Sequence, residues 1–179
     1  IDHFQEYASE VMRWGNTSQG SLVVDVGSND GSLLRFFKNK GMKVLGIDPA
    51  KEIALAATES GVETWPRFFD AELAGEVKKK HGPATIVTVN NLFANVDDLE
   101  DMIEGIREML DPDGFFVFET FYLLDLVKNL AFDFIYHEHL SCFSVKPLEA
   151  FFRAHGMQLV DVQRVPTKAG SVRGFVRLA

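Results

Sequence analysis

The segment Asp133-Phe134-Ile135-Tyr136-His137-Glu138-His139-Leu140-Ser141-Cys142-Phe143-Ser144 interleaves ionisable groups with aromatic rings. A phenol, a carboxylate and two imidazoles this close together can hold, polarise and deprotonate a substrate, and imidazole changes charge near neutral pH. Proton abstraction beside a carbonyl fits the set. Two other uses of the same residues stand beside it. They can form a hydrogen-bonded cover over the end of a sheet, or His137, Glu138, His139 and Cys142 can ligate zinc. Closed zinc sites favour well-spaced ligand pairs such as Cys-x-x-Cys, so no resident metal is expected.

A second constellation lies near the start of the chain. Ser21-Leu22-Val23-Val24-Asp25-Val26-Gly27-Ser28-Asn29-Asp30-Gly31 reads as a strand running into a glycine turn that opens a helix. Gly27 and Gly31 allow positive φ or close backbone approach, so a ligand can lie against main-chain N–H groups, including those of Ser28 and Asn29. The spacing is Asp-x-Gly-x-x-x-Gly, not the Gly-x-Gly-x-x-Gly of a dinucleotide site, and Asp25 and Asp30 bring negative charge where a pyrophosphate would sit. A cation suits the turn better. S-adenosylmethionine carries a sulfonium and an α-ammonium, and the turn is similar to the first motif of the enzymes that use it. Asp48 ends the run Val44-Leu45-Gly46-Ile47-Asp48-Pro49 about 20 residues downstream, where an acid can accept both ribose hydroxyls. Asn90 and Asn91 close a later apolar run on the same expected edge. They either face the ligand's amino-acid end or satisfy backbone groups there.

These groups need a frame. Near-continuous apolar runs at Leu22–Val26, Val44–Ile47, Ala84–Val89 and Phe115–Phe118 have the pattern of strands buried on both faces. Between them lie helical patterns at 33–37, ending near Gly41, at Ile53–Thr58 and at Leu73–Lys80. The clearest is at Leu99, Met102, Ile103, Ile106 and Met109, where Asp97 and Glu100 resemble a capping box. Asp111-Pro112-Asp113-Gly114 then turns the chain. The alternation predicts an α/β, doubly wound, mainly parallel Rossmann-like sheet. Its end departs from that rule. Pro147–His155 reads as a helix closed by Gly156, followed by Met157–Val165 and Ser171–Leu178 as a terminal antiparallel hairpin.

Composition bounds the use of this frame. The 179 residues, 46% of them hydrophobic, suit one domain over 1–179, and a start at Ile1 with a strand-like end suggests a piece of a longer protein. No apolar run approaches the roughly 20 residues of a membrane span, and the single cysteine excludes an internal disulfide framework, so a cytoplasmic location is expected. A net charge of -8 opposes a phosphate backbone and favours a small-molecule substrate over nucleic acid.

The expected architecture resembles the class I methyltransferase fold over essentially the whole chain. Tyr136-His137-Glu138-His139-Leu140-Ser141, Val24–Gly31 and Asn90-Asn91-Leu92-Phe93-Ala94 further resemble the sugar C-methyltransferases that act at C3 of nucleotide-linked deoxysugars. The resemblance implies that a 4-keto sugar nucleotide is deprotonated at C3 and that the enolate attacks the methyl group of S-adenosylmethionine. It maps Tyr136, Glu138 and His139 onto the active site, with His139 the base, Tyr136 binding or polarising the substrate and Glu138 orienting the cluster. The chain departs from that family at Asn95, where a histidine is usual, and at Lys168-Ala169-Gly170-Ser171-Val172-Arg173, where His-Gly-Gly-Ser-hydrophobic-Arg is usual. Full-length members also carry an N-terminal zinc domain and a C-terminal domain. A nicotinamide-dependent oxidoreductase and a non-catalytic cofactor-binding fragment are the competing readings.

Overall fold

The computed structural model describes residues 2–179, with side chains from His3 onward. Seven strands form one sheet in the order β3-β2-β1-β4-β5-β7-β6. β1 (Leu22–Val26) pairs in parallel with β2 (Lys43–Ile47) on one side and β4 (Ala84–Asn90) on the other. All five residues of β1 are buried, as a strand covered on both faces requires. β5 (Leu110–Phe121) continues the parallel set beside β4, and β7 (Ser171–Leu178) inserts antiparallel between β5 and β6 (Met157–Val165). The terminal hairpin therefore has the expected bounds, and the sheet is the doubly wound form that the alternation predicts.

Helices α2 (Ser32–Asn39), α3 (Lys51–Glu59), α4 (Ala71–His81), α5 (Leu99–Met109) and α7 (Val145–Ala154) follow the periodic segments closely. The cap of α5 is corrected by one residue. Asp98, not Asp97, accepts the Asp101 amide at 2.9 Å. Asp111–Gly114 lies inside a register shift: Ala84 pairs with Leu110 and Ile86 with Phe115, so two steps along β4 match five along β5. The turn chemistry survives within the longer strand, as Asp111 Oδ1 accepts the Asp113 amide at 3.0 Å.

Three elements fall outside the apolar runs and periodic segments, one of them the short helix α6 (Leu123–Lys128) after β5. β3 (Thr64–Trp65) is only two residues long, and α1 (Asp2–Gly15) crosses one face of the sheet. Tyr7, Ala8 and Val11 of α1 are buried with Val117 and Phe175, while Trp14 stacks on Phe175 at 4.4 Å and donates to Asp161 at 3.0 Å. On the other face Phe93, Phe116, Phe118 and Phe152 form a continuous aromatic cluster.

Gly174 shows how closely β7 approaches that cluster. It pairs with Phe118, and a Cβ there would collide with the Phe118 ring. Gly174→Ala should therefore destabilise the fold by about 1–3 kcal/mol through overpacking. Gly75→Ala is the control, because a Cβ in that helix meets nothing nearer than Glu108 at 3.9 Å. Urea unfolding should rank Gly174→Ala below wild type and Gly75→Ala at or above it.

Candidate functional site

β1 and β4 are neighbours whose following chains leave to opposite sides of the sheet, so a crevice opens beyond their carboxyl ends. The cleft there has a volume of about 920 Å³, enough for a nucleoside-sized ligand. Asp25, Gly27, Ser28, Asn29, Asp48 and Asn90 all line it. The turn is left-handed at three positions, with φ of 76° at Gly27, 50° at Asn29 and 74° at Gly31. A Cβ on Gly27 would stand 2.9 Å from Leu92 across the cleft floor, so only glycine leaves the backbone open there.

Asp48 has a second duty that its position at a strand end did not reveal. Its Oδ2 accepts the Asn29 amide and its Oδ1 the Ala50 amide, each at 2.9 Å. One carboxylate thus ties the glycine turn to the end of β2 and keeps further lone pairs for a ligand. The turn itself is stiffened by Asp30, which accepts from the Ser32 amide at 2.9 Å and the Ser32 hydroxyl at 2.8 Å, holding its carboxyl below the usual range.

The other turn residues divide. Ser28 is buried with its hydroxyl unpartnered and turned under the loop, since a Cβ on Gly46 would run into it. Its backbone is what the cleft meets. Gly31 is set back from the cleft, packed against Val62, and serves the geometry of the turn. Asn90 lines the cleft with both side-chain polar atoms buried and unpartnered, as does Asn95 with its Oδ1, so the floor holds unspent donors and acceptors. Sequence reasoning did not place Phe4, Pro49, Phe68, Val96 or Met102 at the cleft. These add apolar surface to the cleft, and their signal, apolar residues in helices and loops, is shared with ordinary packing.

Tyr136, His137, Glu138 and His139 fold over the same sheet edge and do not line this cleft. The amides of Leu140 and Ser141 both donate to the Ala94 carbonyl, at 2.9 and 3.1 Å, one residue before Asn95. The loop is thereby fastened to the rim of the cleft. His139 is half-buried, its ring 4.4 Å from Phe121 and 4.3 Å from Tyr136, while Tyr136, His137 and Glu138 are exposed. His139 Nδ1 lies 2.7 Å from the Phe134 carbonyl. A carbonyl only accepts, so Nδ1 carries the proton and Nε2 of the neutral ring is left with its lone pair. Among the described residues, no group of three or more His, Cys, Asp or Glu converges on a point that could hold a metal ion. No helix among them is long and apolar enough to cross a membrane.

Asp25 sits under the turn, 4% exposed, and accepts from Thr88 Oγ1 at 2.6 Å. Burial pushes its carboxyl up to about 7 from 3.8; the Thr88 bond opposes the rise, and the Asp48 charge adds to it. Its folded pKa is above its unfolded one. Between about pH 4 and 7 the folded chain holds a proton that the unfolded chain has lost, so this group's contribution to stability is present below pH 4 and lost as pH rises through about 7. Asp25→Asn keeps an acceptor for Thr88 and removes the titration. Urea unfolding across that window should give a flatter pH dependence for the variant, and a parallel slope would refute the assignment.

A sequence profile described as methyltransferase domain matches residues 2–162. The C-methyltransferase NovU of Streptomyces niveus is 38% identical over 175 residues, which is 98% of this chain and 42% of NovU. The ubiquinone biosynthesis O-methyltransferase of Aliivibrio fischeri is 27% identical over 132 residues, covering 73% of this chain and 56% of that protein. The chain thus spans about half the length of the curated relatives it matches. Among solved structures, magnesium protoporphyrin IX methyltransferase from Synechocystis with bound SAH superposes with a TM-score of 0.71 at 16% identity, over 98% of this chain and 83% of that one. The chain therefore belongs to the methyltransferase-domain family and has the class I methyltransferase fold.

Proposed function

We propose that this domain methylates a carbon atom beside a carbonyl in a nucleotide-linked keto-deoxysugar. The observation that carries the reading is the fixed tautomer of His139: a base held with Nε2 free, on a loop fastened to the rim of the cofactor cleft. Identity of 38% to a relative named as a C-methyltransferase supports the choice of carbon as acceptor.

The cleft fits the cofactor on this structure's own terms. The open backbone at Gly27, the unspent polar atoms of Asn90, the carboxyls of Asp25 and Asp48 and the apolar lining suit an amino acid, a cation, a ribose and a flat base. When bound, S-adenosylmethionine supplies an electrophilic methyl group. Asp48 would take the ribose hydroxyls. Asp25, Asn90 and the backbone from Gly27 to Asn29 would surround the methionine end, with Pro49, Phe68 and Met102 beside the base. His139 Nε2 would remove the proton next to the carbonyl, with Tyr136 binding the sugar and Glu138 orienting the exposed side of the loop. The loop is fastened beside Asn95 of the cleft lining, so the acceptor would sit between the loop and the cofactor.

His139→Ala should lower turnover by about 100- to 10,000-fold and slow exchange of the acidic carbon-bound proton with solvent deuterium, with S-adenosylmethionine affinity nearly unchanged. His137→Ala, at an exposed position, should do much less. Exchange at the wild-type rate in the His139 variant would transfer the base role to Tyr136 or Glu138. A domain that binds cofactor without any exchange would be a non-catalytic binding module.

A further inference from the structure

A second imidazole stands at this edge of the sheet, carried by α1. His3 Nε2 lies 3.3 Å from Glu119 Oε1. Glu119 is 2% exposed and is held from three further directions: Arg173 Nη2 donates to Oε2 at 2.9 Å, Arg173 Nε to the same oxygen at 3.2 Å, and Thr167 Oγ1 to Oε1 at 3.1 Å. Arg173, 3% exposed, also reaches Glu10 at 2.6 Å and lies over the Tyr7 ring at 4.3 Å. Burying two charges is costly, and a simple tie between α1 and the sheet could be made from apolar contacts alone. This pair holds one imidazole that is itself only partly covered, with a side-chain exposure of 39%.

The location supplies the reason. Glu119 pairs in register with Asn90, which lines the cofactor cleft, and Phe4, next to His3, lines it too. Glu119 and Phe121 lie two residues apart on β5, so their side chains share a face about 7 Å apart. Phe121 carries His139 against its ring at 4.4 Å. Two imidazoles therefore flank one strand end, each oriented through one ring nitrogen: His139 through Nδ1, His3 through Nε2.

We infer that His3 is a second catalytic residue of the acceptor site, donating a hydrogen bond from Nδ1 to the carbonyl oxygen while His139 takes the neighbouring proton. The inference rests on the carbon-methylation reading above. In the first step the C–H bond breaks, its proton goes to His139 Nε2, and the electron pair moves through carbon to the oxygen, where the His3 imidazolium meets the growing negative charge. In the second the carbonyl re-forms and a C–C bond is made to the methyl group as the sulfonium carbon–sulfur bond breaks, with its pair staying on sulfur. His3 ends with the proton it began with, and His139 returns its proton to solvent. Glu119 and Arg173 are positioning residues, fixing the ring and balancing its charge.

The test uses the full-length protein with S-adenosylmethionine and thymidine-diphosphate 4-keto-6-deoxyglucose as probe. His3→Gln and His3→Phe, the latter keeping ring packing against Phe4 and Tyr7, should each lower kcat by about 100-fold or more, as loss of an oxyanion donor does. Both should slow deuterium exchange at the carbon beside the carbonyl and leave cofactor affinity unchanged, a split that a purely structural tie would not give. If both variants keep wild-type kcat and exchange while His139→Ala loses them, His3 is only a tie and the carbon-methylation reading stands. If the wild-type protein neither exchanges that proton nor methylates the probe, the carbon-methylation reading fails on this substrate and the role of His3 falls with it.

Discussion

The two hydrogen bonds of Asp48 hold the site together. A loop with left-handed residues at Gly27, Asn29 and Gly31 does not keep that shape by propensity alone, because each such residue costs backbone strain or entropy that something must offset. Asp48 offsets it by accepting the Asn29 amide with one oxygen and the Ala50 amide with the other. The Gly27 and Ser28 amides also donate to the Ile47 carbonyl, so the ends of β1 and β2 are locked at a fixed separation and the turn's backbone is fixed at the mouth of the cleft. Asp25, buried below, gives the same place an acid whose charge is costly without a cation nearby. A cationic ligand would thus suit the turn electrostatically as well as in shape.

The proposed acceptor side is built differently. Its residues come from three separate elements, the N-terminus of α1, the loop after β5 and the β6–β7 hairpin, and they meet only because β7 inserts antiparallel beside β5. That insertion puts Arg173 opposite Glu119 and lets Thr167 reach the same carboxylate. The aromatic cluster on the other face and the absence of a side chain at Gly174 allow β7 to sit this close. Packing on one face of β5 therefore sets the positions of charged groups on the other.

Much of this was legible in the sequence. Strands buried on both faces must be apolar throughout, so β1, β2, β4 and the core of β5 could be read directly, and the final hairpin followed from strand patterns around Lys168-Ala169-Gly170. β3 was not legible because two residues carry no period, and the limits of β5 were hidden by a bulge that looks like a turn. In the site, glycine spacing and acidic strand ends marked the turn and Asp48. Spacing could not show that the Ser28 hydroxyl turns under the loop, that Gly31 packs against Val62, or that Asp48 spends two lone pairs on backbone. The His3, Glu119 and Arg173 cluster spans 170 residues of chain, and only the fold brings its members together.

The central claim, that the turn from Asp25 to Gly31 with Asp48 forms a cation-accepting cofactor site, is tested most directly by calorimetric titration with S-adenosylmethionine and, separately, with NAD. The structure predicts saturable one-to-one binding of S-adenosylmethionine and no binding of NAD, whose pyrophosphate would meet Asp25 and Asp30. Saturable NAD binding, or S-adenosylmethionine affinity undiminished by Asp48→Ala, would contradict it.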